Sequence, residues 1–143
     1  MRHSFPTRRS SDLPLSPAHH IAAKDFDPSV DVNLRGTQRL IRMVAPLLAA
    51  APAGVFVQVA DDRAGRAFWG SYGATKAAAD ALAASWARET ERLGPRVLMF
   101  RPEPMPTALR ARFYPGEDRD RLTPCAAEAS RLLTELAAAP ALA

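Results

Sequence analysis

Apolar residues recur at helical spacing from Lys24 to Ala51, at Val30, Leu34, Leu40, Ile41, Val44, Leu47 and Leu48, with Asp25 and Asp27 favourably placed near the positive end of such a helix. Pro46 is expected to kink or end its last turn, since proline lacks an N–H and crowds the preceding turn. Gly54 breaks the pattern, and Val55 to Val59 form a short β-branched run that reads as a buried strand. A charged stretch from Asp61 to Phe68 reads as a loop closing on Trp69-Gly70. An alanine-crowded helix is predicted from Ser71 to Leu93, stopped by Gly94, and a second strand from Arg96 to Phe100. Pro102, Pro104 and Pro106 keep the next segment extended, before a short helix over Ala108 to Phe113 and a polar loop over 114–122. Thr123 is predicted as N-cap and Pro124 as the first residue of a last helix, reaching about Ala138 before Pro140 ends it. The order is α/β, with the two strands adjacent and parallel because a helix long enough for a crossover joins them.

Within the alanine-rich helix, Ser71 to Lys76 read Ser-Tyr-Gly-Ala-Thr-Lys, which places Tyr72 and Lys76 one turn apart on one face. An ammonium held there favours the phenolate and is expected to lower the tyrosine pKa from its usual value of about 10. A tyrosine so tuned is a candidate general acid/base. The spacing alone also fits a solvated helix face, so its flanks decide.

Those flanks are Asp31-Val32-Asn33-Leu34-Arg35-Gly36-Thr37 upstream and Pro102-Glu103-Pro104-Met105-Pro106-Thr107 downstream, each separated from the tyrosine by a predicted strand. Three motifs in this order, within residues 14 to 138, resemble the C-terminal half of the short-chain dehydrogenase/reductase family. The resemblance implies a partial Rossmann-like, doubly wound parallel sheet. It implies that Tyr72 is the acid/base, that Lys76 tunes it and holds the nicotinamide ribose, and that Asn33 organises a proton-relay water. Pro102 and Thr107 match the family's contact with the nicotinamide carboxamide. The implied cofactor is NAD or NADP and the substrate a small carbonyl or alcohol. The helices over 24–51 and 71–93 would form a homo-oligomer interface, and Trp69-Gly70 resembles a bacterial subgroup.

Two positions depart from the family. Its catalytic serine stands about thirteen residues before the tyrosine, where this chain has Val59. Gln58, Asp61 or Asp62 could supply a polar group, although a carboxylate would repel a developing oxyanion that a donor should stabilise. Glu103 stands where the family has a glycine beside the cofactor. Nor do any of the seven glycines form the Gly-rich turn that binds a pyrophosphate at a helix N-terminus. The expectation is therefore a C-terminal part of such an enzyme over 14–143, inactive by itself. The alternative is a family member that has lost catalysis and serves as a dimerising or binding module.

Residues 3 to 13, His-Ser-Phe-Pro-Thr-Arg-Arg-Ser-Ser-Asp-Leu, match one reading frame of a common sequencing adapter, so 1–13 are read as an artefact outside the fold rather than a basic arm. Without them Arg2, Arg8, Arg9 and Asp12 are lost and the net charge falls from +4 to +2, too little to imply nucleic acid. Cys125 is the single cysteine, which excludes a disulfide framework and fits a reducing cytoplasm. No apolar run approaches the ~20 residues of a membrane span. His19-His20 lack a third ligand nearby and are expected to be surface histidines rather than a metal site.

Overall fold

The computed structural model describes residues 15–138; the expectation for 1–13 lies outside the described residues. Helix α1 (Ala23–Ser29) runs into a π-helical segment (Val30–Arg35) and then into α2 (Gly36–Ala50). Strand β1 (Val55–Val59) is followed by α3 (Gly70–Glu89), β2 (Arg96–Phe100), α4 (Ala108–Phe113) and α5 (Cys125–Ala137). Short 3₁₀ turns stand at Ala18–His20 and Arg119–Arg121. The predicted parallel pairing is present: β1 and β2 run side by side in register from Val55 opposite Arg96 to Val59 opposite Phe100.

The chain divides into two compact units, one ending at Val44 and resuming over Asp61–Leu82, the other comprising Ala45–Ala60 and the chain from Ala83 onward. In the second unit, Phe56 of β1 meets Trp86 of α3 edge to face at 5.2 Å, and Phe100 and Ala83 are buried with them. Ala83 is fully buried. Gly54 is required by a close approach of the backbone. A Cβ there would lie 2.1 Å from the Leu48 carbonyl oxygen, so the chain can turn from α2 into β1 only without a side chain.

Several boundaries differ from the sequence pattern. Pro46 lies inside α2, which continues to Ala50. The apolar residues of α2 split between two faces: Ile41, Val44 and Leu48 are half-buried, while Leu40, Met43 and Leu47 are exposed. Helix α3 ends at Glu89 rather than Leu93: the Thr90 N–H closes the last ladder bond to the Trp86 carbonyl, the Thr90 hydroxyl bonds to the same carbonyl, and 90–93 form a turn. Pro124, not Thr123, is the N-cap of α5, and the Thr123 N–H instead donates to the Pro104 carbonyl. In β1 the burial inverts hydropathy: Gln58 is buried while Val59 is half exposed.

Trp86→Ala is expected to lower the unfolding free energy by about 3 kcal/mol or more, measured by urea denaturation. Gly54→Ala should cost at least about 1 kcal/mol through the backbone clash; unchanged midpoints would show that neither contact belongs to the core.

Candidate active site

The start of α3 is shaped by the loop before it. The Gly73 N–H donates to the Trp69 carbonyl at 2.6 Å, and a Cβ on Gly73 would lie 2.6 Å from the Arg63 carbonyl oxygen. Only glycine lets the 61–69 loop press on the helix this closely, and that pressing positions Tyr72. Its ring packs edge to face on Trp69 at 5.7 Å, and the Arg63 guanidinium stands over the Trp69 ring at 5.6 Å. The Tyr72 hydroxyl donates to Asp61 Oδ2 at 2.9 Å. The other oxygen, Asp61 Oδ1, accepts the Arg63 N–H at 2.9 Å, and Arg63 Nε lies 3.6 Å from it and 3.3 Å from Asp62.

This arrangement overturns the expectation of a lowered tyrosine pKa. Burial, the largest cause, together with the charge and hydrogen bond of Asp61, holds the Tyr72 phenol well above its usual value of 10.0. Arg63 opposes the shift and Asp80 adds to it. Of the three polar candidates near the absent serine, Asp61 reaches Tyr72, and it does so as an acceptor.

Asn33 is buried in the π-helical segment, and its Nδ2 donates to Thr75 Oγ1 at 2.9 Å. The Thr75 hydroxyl in turn donates to the Ser71 carbonyl at 2.8 Å, with the Tyr72 carbonyl at 3.1 Å. The Asn33 carbonyl accepts the Thr37 hydroxyl at 2.7 Å. Asn33 is therefore tied to the turn that carries Tyr72 and Lys76, the latter half-buried one turn further along α3. A π-helical turn inside a longer helix is a recurrent feature of functional sites. Thr75 and Arg63 were not singled out from sequence. Thr75, four residues after Ser71 inside the Tyr-x-x-x-Lys motif, carried a readable signal: a hydroxyl able to bond back along its own helix.

Pro102 and Thr107 belong to the second unit, in the segment leaving β2. Its prolines remove every second donor, so this backbone cannot complete a ladder. Side chains and loops hold it instead. The Glu103 N–H donates to Glu128 Oε2 at 3.1 Å, and Arg131 donates to the Arg101 carbonyl at 2.6 Å. Thr123 N–H reaches the Pro104 carbonyl at 3.0 Å, and Arg119 the Pro106 carbonyl at 2.5 Å. Thr107 caps α4 by accepting the Arg110 N–H at 3.2 Å. The Glu103 side chain, standing where a glycine was expected, is exposed.

The Glu128 side chain is 6% exposed and paired with Arg131. The hydrogen bond from Arg131, then that from the Glu103 N–H, holds its carboxyl below its usual value of 4.5. A depressed carboxyl contributes stability that is present above pH 4.5 and is lost as pH falls through the lower folded value. Glu128→Gln should therefore lower the melting temperature at neutral pH and narrow its gap to wild type in acid; a constant gap would show that the charge is not what matters.

Among the described residues no cluster of three His, Cys, Asp or Glu is placed to hold a metal ion, and His19 and His20 are exposed as expected. No helix among them is long and apolar enough to cross a membrane.

A parallel β-α-β unit of this kind defines a partial Rossmann-like fold, here with an Asn buried against a Tyr-x-x-x-Lys helix. Residues 13–118 match the family described as short chain dehydrogenase, and the chain belongs to that family. It is 38% identical over 96 residues to the uncharacterized oxidoreductase YciK of Escherichia coli K12, covering 65% of this chain and 37% of that protein. A short chain dehydrogenase from Salmonella enterica serovar Typhi CT18 has a similar structure, with a TM-score of 0.75 at 27% identity over 86% of this chain and 50% of that one. A short chain dehydrogenase from Shigella flexneri 2a complexed with NADP gives 0.74 at 28% identity, over 87% and 51% respectively. The chain thus spans about half the length of these solved structures, and its fold is a partial Rossmann-like one.

Proposed function

We propose that residues 14–143 are the C-terminal half of an oxidoreductase that moves hydride between NADP(H) and a small carbonyl or alcohol. In this reading Tyr72 is the proton donor and acceptor, Lys76 holds the nicotinamide ribose, and Asn33 organises the proton relay. The observation that carries it is the buried Asn33–Thr75 hydrogen bond of 2.9 Å, which couples the Asn33 turn to the Tyr72–Lys76 turn. That coupling has no purpose in a solvated helix face. The solved relative complexed with NADP supports the choice of cofactor.

The residues present fit the nicotinamide end of such a cofactor and not its pyrophosphate end. Tyr72 and Lys76, one turn apart on α3, share the helical face a ribose needs. None of the seven glycines forms the turn that would cradle a pyrophosphate. When bound, the cofactor supplies the hydride; this chain's side chains orient the substrate oxygen and move its proton. The exposed Leu40, Met43 and Leu47 of α2 support a homo-oligomer face on the helices over 24–51 and 71–93.

Calorimetric titration of the isolated chain with NADPH should show no micromolar binding. In the parent polypeptide, with a Gly-rich half ahead of Pro14, Tyr72→Phe should reduce carbonyl reduction by about 10²-fold or more. Unchanged turnover would show that Tyr72 is not the proton donor, and a parent without turnover would favour the second reading, a binding module without catalysis, for which the Tyr72–Asp61 hydrogen bond and Val59 at the serine position speak.

A further inference from the structure

The serine expected before Tyr72 is absent, yet the tyrosine hydroxyl has a well-formed partner. Asp61 Oδ2 lies 2.9 Å from it. The carboxylate is itself fixed: Oδ1 accepts the Arg63 N–H at 2.9 Å, and the Arg63 guanidinium lies between Asp61 and Asp62 and over the Trp69 ring. Trp69 closes the circuit by packing on Tyr72. A side chain bonded through both oxygens, beside an arginine that is only 13% exposed, keeps one orientation.

We infer that Asp61 is a positioning residue for Tyr72, accepting the hydrogen bond of its hydroxyl and holding the tyrosine in its protonated, donating form. The inference deepens the reading of Tyr72 as acid/base and rests on it. A serine hydroxyl can donate to a substrate oxygen alongside tyrosine, whereas a carboxylate can only accept. A substrate carbonyl must therefore take the Tyr72 proton in competition with Asp61. Tyr72 then enters carbonyl reduction with its proton in place, and is a poor base for alcohol oxidation near neutral pH. The charged groups acting on Tyr72 are Asp61 and Arg63 from the loop and Asp80 from α3; burial and the two carboxylates favour the neutral phenol and Arg63 opposes them.

The chain has two tyrosines, so a Tyr114→Phe background leaves Tyr72 alone to report. In that background, tyrosinate ultraviolet absorbance is followed against pH together with circular dichroism. Tyr72 is expected to ionise above pH 10.0, the usual value, including ionisation that comes only as helix is lost. Asp61→Asn should shift ionisation to lower pH by a factor of ten or more in the acid constant. Ionisation of the folded chain at or below pH 10.0 overturns the inference, as does an Asp61→Asn variant that keeps its helix and titrates like its parent. Should Asp61→Asn fail to fold, Asp61→Ser in the same background is titrated in its place, with the same shift to lower pH expected and its absence in the folded variant overturning the inference. The titration reads Asp61 whether or not the longer polypeptide turns over, and Tyr72→Phe turnover reads catalysis whether or not Asp61 holds the phenol.

Discussion

The close approach of the 61–69 loop to the first turn of α3 is the constraint on which the candidate site depends. Gly73 makes it possible, since any side chain there would meet the Arg63 carbonyl. Once the loop lies against the helix, Arg63 fixes Asp61, Trp69 packs on Tyr72, and the tyrosine hydroxyl donates to Asp61. Phe68 turns the chain into this approach at φ 69°, a left-handed conformation that costs a non-glycine residue about 1–2 kcal/mol. Contacts on both sides of the loop, including the Ser16 N–H on the Phe68 carbonyl at 3.1 Å, hold that conformation in place.

On the other side of α3, the same turn is held by Thr75 and Asn33. Thr75 satisfies its hydroxyl within its own helix and accepts from Asn33, so a buried amide is compensated rather than stranded. The π-helical segment lets this happen, because its extra residue per turn brings Asn33 inward while Val32 stays exposed. Pro28 precedes it inside α1 and contributes no N–H to the ladder there.

In the second unit the difficulty is different. A segment with proline at every second position has few donors and cannot be stabilised as a strand, so its shape is imposed from α5 and the 108–122 loop. Glu128 and Arg131 act as a pair, one taking the Glu103 N–H and the other giving to the Arg101 carbonyl. The loop carries its own tie: Arg110 grips Glu117 through two hydrogen bonds of 2.5 and 2.6 Å and lies over Tyr114 at 4.6 Å.

Local pattern determined much of this protein. The strands at Val55–Val59 and Arg96–Phe100, their parallel pairing and the α4 helix followed from β-branched runs, breakers and crossover length, all short-range properties of the chain. The Tyr72–Lys76 spacing followed from helical periodicity, and the motif order was enough to indicate the family. What the sequence could not determine depended on neighbours distant along the chain. Whether Lys76 or Asp61 governs the Tyr72 proton is set by burial and by a loop eleven residues away, so the helical spacing alone predicted the wrong direction of shift. Which apolar residues of α2 face inward, and why Gln58 is buried while Val59 is exposed, were decided by packing. Pro124 rather than Thr123 caps α5, while the Thr123 N–H ties the helix start to the Pro104 carbonyl nineteen residues back. Periodicity reports only on the chain's own backbone; the protonation and orientation of a side chain are fixed by the charges and carbonyls that folding brings to it.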